Sequence, residues 1–207
     1  MYRGIRLAES FLVAAGLALS AGPALAARVG KPAPAFTATD IDGKPVSLAA
    51  LRGKHVVLEW HNKGCPFVIK HYASGNLPAL QAKWTKQGVV WLSIVSSAAG
   101  TEGSCTPAEA REDIAATKAA VTAMILDPGG KLGRLYGAKC TPHMFVVNPK
   151  GTLIYDGAID DHASTDAEDI PASKNWVDQA LTESLAGRKV SVSSTRPYGC
   201  GIKYAKP

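Results

Sequence analysis

The 207-residue chain has no internal repeat and no low-complexity tract, which excludes a solenoid, a collagen-like fibre or a wholly disordered polymer. It contains no P-loop, no dinucleotide fingerprint and no Ser-His-Asp order, so the common phosphate-cradling and acyl-transfer devices are missing. It has no basic cluster either. Its 23 Lys and Arg against 17 Asp and Glu give a formal charge of +6, but these residues are scattered, and no nucleic-acid partner is expected. Cysteine is scarce, with four residues in all. What is present is a 46% hydrophobic fraction, sufficient for one domain with a substantial core.

The N-terminus is set apart by its pattern. Arg3 and Arg6 precede an apolar run from Phe11 to Leu19, and Ala24-Leu25-Ala26 follows. This is the order of a secretory signal peptide, with cleavage expected after Ala26. The apolar run is well short of the roughly 20 residues a spanning helix needs, so no membrane span is expected once residues 1–26 are removed. The expected location is exported, periplasmic or extracellular. There disulfides can persist, which bears on Cys65, Cys105, Cys140 and Cys200. Four cysteines allow three full pairings, and sequence alone does not choose among them.

The remaining chain reads as a domain over 27–187 and a polar tail over 188–207 that carries Cys200. Asp42-Gly43 predicts a hairpin turn between Phe36–Ile41 and Val46–Leu48. His55–His61, Val89–Val95, Ala123–Leu126, His143–Val147 and Thr152–Tyr155 read as strands. Gly64-Cys65-Pro66 opens a helix, broken at Ser74-Gly75 and restarted with Asn76 as cap. Thr106-Pro107-Ala108-Glu109 predicts a capping box and a helix to about Ala120. Leu132–Tyr136 is a short helix, and Ser173 caps a last one that Gly187 stops. Strands alternating with helices, then a late hairpin, predict an α/β fold with a mixed central sheet and helices on both faces.

Cys65 is the strongest chemical candidate. It stands where a buried strand passes into a helix whose first residue is Pro66. Free N–H groups and the positive end of the helix dipole converge there, and they favour a thiolate over a thiol. Lys63 adds positive charge nearby. Catalysis further requires that the sulfur be reachable.

Several stretches carry a family resemblance: Val29-Gly30-Lys31-Pro32-Ala33-Pro34-Ala35-Phe36, the strand ending in Trp60, Gly64-Cys65-Pro66-Phe67-Val68, Tyr136-Gly137-Ala138-Lys139-Cys140-Thr141-Pro142, and Tyr198-Gly199-Cys200-Gly201-Ile202-Lys203-Tyr204. Together they resemble the redoxin, peroxiredoxin-like branch of the thioredoxin superfamily. The resemblance implies a thioredoxin-like fold and thiol–disulfide exchange. Cys65 matches the first cysteine of a Cys-x-x-Cys motif, while Val68 replaces the second. The Pro-x-x-x-Ser/Thr-x-x-Cys pattern of true peroxiredoxins is also absent. Pro142 matches the family's cis-proline, and the backbone of Thr141 would pair with an extended substrate segment. Release of a mixed disulfide on Cys65 then falls to Cys200, whose tail motif matches the subgroup, or to Cys140 beside Pro142. Cys105 and an external thiol are weaker alternatives. Trp60, Pro66 and Phe67 are expected to wall the substrate site.

Glu59 lies inside the same strand. Burial would raise its pKa and suit it to shuttle protons during exchange, if its side chain points inward. His61, Cys65 and His71 could form part of a soft metal site, but His71 reads as a helix-surface residue and His143 as a strand residue near the site. Asp160-Asp161-His162 reads as a solvated loop. The expected chemistry is therefore carried by cysteine without cofactor or metal. Its partners would be protein or small-molecule thiols and disulfides. The alternatives are peroxide reduction at Cys65, which requires a nearby cation, and a non-catalytic binding protein.

Overall fold

The computed structural model describes residues 27–206. A hairpin of β1 (Thr37–Thr39) and β2 (Pro45–Ser47) leads into β3 (Val56–Trp60). Helices α1 (Pro66–Ala73) and α2 (Asn76–Thr85) follow, then β4 (Val90–Val95), α3 (Pro107–Thr117), β5 (Ala123–Leu126) and α4 (Lys131–Tyr136). Next come β6 (Cys140–Thr141), β7 (His143–Val147), β8 (Leu153–Gly157), α5 (Trp176–Leu185) and, in the tail, β9 (Cys200–Gly201). The central sheet has the order β5-β4-β3-β7-β8. β3 pairs in parallel with β4, and β4 with β5, while β7 runs antiparallel to both β3 and β8. This is the mixed sheet with helices on both faces that the sequence predicts.

Strand periodicity divides the core. Val57, Trp91, Met144 and Val146 face one layer, where Val68 and Tyr72 of α1, Leu77, Leu80 and Trp84 of α2, and Val177, Ala180 and Leu181 of α5 pack on them. Leu58, Trp60, Leu92, Ile94 and Phe145 face the other, against Leu132 and Tyr136 of α4 and the β1–β2 hairpin. Each Val, Leu, Ile, Phe or Met among them, fully buried, contributes roughly 1.5–3 kcal/mol of hydrophobic stabilisation before entropy is subtracted.

Local signals account for most boundaries. Thr106 and Glu109 form the reciprocal capping box. The helix stops at Thr117 rather than near Ala120, because Lys118 turns into the left-handed region at φ 55° and closes the last carbonyls. Asn175 rather than Ser173 caps α5, accepting from the Asp178 N–H at 2.8 Å. Gly75, at φ 77°, makes the break before α2, and Asn76 is the first helical residue rather than the cap. The Asn76 amide instead donates to His71 Nδ1 at 2.8 Å. The expected signal peptide, residues 1–26, lies outside the described residues. Among the described residues no helix is long and apolar enough to cross a membrane.

Candidate active site

Cys65 is the N-cap of α1, with extended backbone (φ −77°, ψ 122°) and Pro66 directly inside the helix. A tight turn sets it there: the Cys65 N–H donates to Asn62 O at 3.0 Å, and the Gly64 N–H to Asn62 Oδ1 at 2.8 Å. The Val68 and Ile69 N–H groups both reach back to Cys65 O. The sulfur thereby projects from the end of β3 toward the loop that carries β6.

That loop contains the cis Thr141–Pro142 peptide bond. The Cys65 thiol donates to Thr141 O at 3.0 Å. The Thr141 hydroxyl is buried without a hydrogen-bond partner. A thiolate at position 65 would give it one. On the far side of β6 lies β9, paired antiparallel with Thr141 opposite Cys200 and Cys140 opposite Gly201. The Cys200 side chain packs against the cluster that holds Cys65 and favours the ionised form of that sulfur. Cys140 turns elsewhere, its thiol donating to Tyr198 O at 3.2 Å. Cys105 packs with Ile41, Val95 and Ile114 in a third cluster. All four cysteines are free thiols in this structure.

The electrostatics separate the four sulfurs. Burial pushes the Cys65 thiol up, but hydrogen bonds from Cys200, Thr141 and the Val68 backbone outweigh it and hold the group below the ordinary cysteine value. Cys200 is pushed up to about 12 by burial and by its bond to Cys65. Cys140 is pushed up to about 11, by burial and then by the Cys65 charge. Burial also raises Cys105. Cys65 is therefore the group that ionises first, and Cys200 is the thiol that donates to it.

Access departs from expectation. Cys65 has 0% exposure, and Phe67, Tyr198 and Cys200 pack against the core cluster that contains it. The Tyr198 ring lies 5.7 Å from that of Phe67. The Tyr198 hydroxyl donates to Asp160 and lies 3.3 Å from His71 Nε2. His71 is not a helix-surface residue: it is wholly buried, and burial pushes its pKa down to about 4, keeping it neutral. Asp160 likewise is not in a solvated loop but is 2% exposed beneath the tail. These three residues form an anchor that sequence reasoning missed. The only sequence hint was an aromatic residue two positions before Cys200.

Two further expectations are corrected. Trp60 does not wall the substrate site. It is fully buried in the opposite layer between Tyr136 and Phe145, and its indole N–H donates to Ser96 Oγ at 3.0 Å. Pro66 is exposed and Phe67 half-buried at the rim, while Thr141 and Pro142 are buried beside the sulfur. Glu59 does point inward, but its pKa is lowered rather than raised. Burial pushes it up, and bonds from His61, Tyr72 and Trp91 outweigh that effect. It accepts from the Tyr72 hydroxyl at 2.7 Å, Gln81 Nε2 at 3.0 Å and Trp91 Nε1 at 2.7 Å. A carboxylate so held stays ionised and anchors the core; it is ill-suited to carry protons to Cys65. Among the described residues no group of three or more His, Cys, Asp or Glu side chains is placed to hold a metal ion. His143 bonds Asp156 at 2.8 Å instead.

A search of curated proteins finds no match. Among solved structures, an uncharacterized conserved protein from Geobacillus kaustophilus is similar at 24% identity and TM-score 0.72, covering 87% of this chain and 94% of its own. A hypothetical protein from Sinorhizobium meliloti 1021 is similar at 23% identity and TM-score 0.70, over 88% and 98%. A Chlorobium tepidum chain named as a thiol:disulfide interchange protein, DsbE, is similar at 21% identity and TM-score 0.57, over 77% and 99%. These likenesses establish a thioredoxin-like fold. Residues 29–156 match the AhpC/TSA family. With its cysteine at the strand-to-helix junction, the chain belongs to the AhpC/TSA family of oxidoreductases, in the redoxin branch of the thioredoxin superfamily.

Proposed function

We propose that the protein is an exported thiol–disulfide oxidoreductase in which Cys65 is the nucleophile and Cys200 the resolving thiol. The observation that carries this reading is the placement of Cys200 on β9, directly opposite Thr141 and packed against the cluster that holds Cys65, beside the cis Pro142. The Cys65 thiolate attacks one sulfur of a substrate disulfide. A Cys65–substrate disulfide forms, and the second substrate sulfur leaves as a thiolate. Cys65 is then neutral, so the charge that held Cys200 protonated is gone and Cys200 ionises more readily. Its thiolate attacks the Cys65 sulfur, expels the remaining substrate thiolate and closes a Cys65–Cys200 disulfide. Two electrons pass from the dithiol to the substrate. The N-terminal pattern of residues 1–26 supports export, and 27–187 and 188–207 act as domain and resolving tail.

Replacing Cys65 by Ser should abolish reduction of insulin by the pre-reduced protein. Unchanged turnover in that variant refutes the assignment. Family membership also favours peroxide reduction as a second reading. Among the described residues, the groups that favour the ionised Cys65 sulfur are Cys200, Thr141 and the Val68 backbone, and none is a guanidinium. Stopped-flow oxidation by hydrogen peroxide should therefore run no faster than that of free cysteine. A rate well above free cysteine would favour the peroxidase.

A further inference from the structure

The strand beside Cys65 is an extended segment of the tail laid on the cis-proline loop. β9 lies antiparallel on β6 with a cysteine directly opposite Thr141, its sulfur against Cys65. Its hold is local. The Ile202 N–H donates to Lys139 O at 3.2 Å, and β9 itself is only two residues long. Firm anchors stand on either side: Tyr198 on Asp160 and His71, and Tyr204 donating to Ala138 O at 2.8 Å with Arg134 over its ring. Between these anchors the segment is held by the β6–β9 pairing and the Ile202 bond.

The approach at Gly199 is close. Its φ is 128°, and a Cβ built there would lie 2.0 Å from Thr141 O and 2.7 Å from Thr141 C. Those are backbone atoms of the cis-proline loop, so no side-chain adjustment relieves the overlap. Only glycine fits the position before the cysteine in this register.

The family resemblance already implies that the Thr141 edge takes an extended substrate segment; we propose that β9 is a tethered occupant of that edge and that its register selects a substrate cysteine preceded by glycine. The inference rests on Cys65 being the nucleophile. A substrate strand displaces residues 199–201 and presents a disulfide-bonded cysteine to Cys65 in the place of Cys200; the Cys65 thiolate attacks that sulfur, the mixed disulfide forms, and the cysteine's former partner sulfur leaves as a thiolate. Return of β9 to the edge expels the strand and delivers the resolving thiol in one movement.

The test uses the full chain with Cys200→Ser, which keeps the tail but cannot resolve. The probe is acetyl-Tyr-Gly-Cys-Gly-Ile-Lys-Tyr-amide, its cysteine joined by a disulfide to thionitrobenzoate. A second peptide has Val in place of the first Gly. Attack by Cys65 on the peptide sulfur forms the Cys65–peptide disulfide and releases coloured thionitrobenzoate, whose rate is followed. Rates are divided by those of the same peptides with free glutathione, which removes their intrinsic difference. The Gly peptide should react at least about tenfold faster than the Val peptide. Adding Gly199→Val to expel β9 should raise the Gly-peptide rate relative to that of the symmetrical thionitrobenzoate disulfide. Equal rates for the two peptides, or an unchanged relative rate on expelling β9, overturn the docking site. Silence of Cys65 toward the small disulfide as well overturns the underlying reading of Cys65.

Discussion

His61 makes stability depend on alkaline pH in a direction fixed by its surroundings. It is 4% exposed, with Nε2 2.9 Å from Asp113 Oδ2 and Nδ1 3.8 Å from Glu59 Oε1. Burial pushes the imidazole down, but the two carboxylates outweigh it and lift the pKa from 6.5 to about 9. The folded state thus binds a proton more tightly than the unfolded state. The resulting stabilisation is complete below pH 6.5 and is lost as pH rises through about 9. At 1.36 kcal/mol per unit the contribution is about 3 kcal/mol, of which about 2 kcal/mol disappears between pH 7 and pH 9. Urea unfolding of the wild type and of His61→Gln at pH 6, 7, 8 and 9 reads it directly. The difference in unfolding free energy between the two should shrink steadily across that series. A difference that stays flat, or grows toward pH 9, refutes the buried imidazolium.

Glu59→Gln should destabilise the fold by about 3–5 kcal/mol near neutrality, since it leaves the His61 charge without its inner partner and sets an amide N–H against donors. Chemical denaturation checks this, and a loss that fails to shrink above pH 9 would tie the effect to packing rather than to charge. Cys200→Ser should accumulate covalent substrate adducts on Cys65, visible as a mass increase under non-reducing conditions, whereas Cys140→Ser should keep turnover within about threefold. Adducts trapped by Cys140→Ser in place of Cys200→Ser would reverse the roles of the two thiols.

Much of the frame is readable along the chain because its causes are local. Pro66 after Cys65, the Thr106–Glu109 pair and Asp42-Gly43 each act within one turn, and the corresponding elements form where those residues stand. The face that Trp60 takes is not legible in the sequence, for a physical reason. β3 is buried on every residue, so its composition carries no alternation to tell which face each side chain takes. Only pairing of β3 with β4 and β7 settles that Trp60 faces Phe145 and Glu59 faces Trp91. The sequence around His71 and Asp160 suggests exposure, because nothing near them along the chain covers them. Their cover is Tyr198, 127 positions beyond His71.

The division of labour between Cys140 and Cys200 comes down to strand parity. Adjacent residues of a strand point to opposite faces, and directly opposed residues of an antiparallel pair share one. Thr141 stands opposite Cys200, so both side chains lie on the Cys65 side of the ribbon, while Cys140 falls on the reverse. A slip of β9 by one residue would set Gly199 or Gly201 opposite Thr141 and leave Cys65 without a facing thiol. The overlap that any Cβ at position 199 would meet, together with the Tyr198 and Tyr204 anchors, works against such a slip. Steric exclusion at a glycine thus fixes which cysteine faces the reactive sulfur, although neither glycine nor tyrosine takes part in the chemistry.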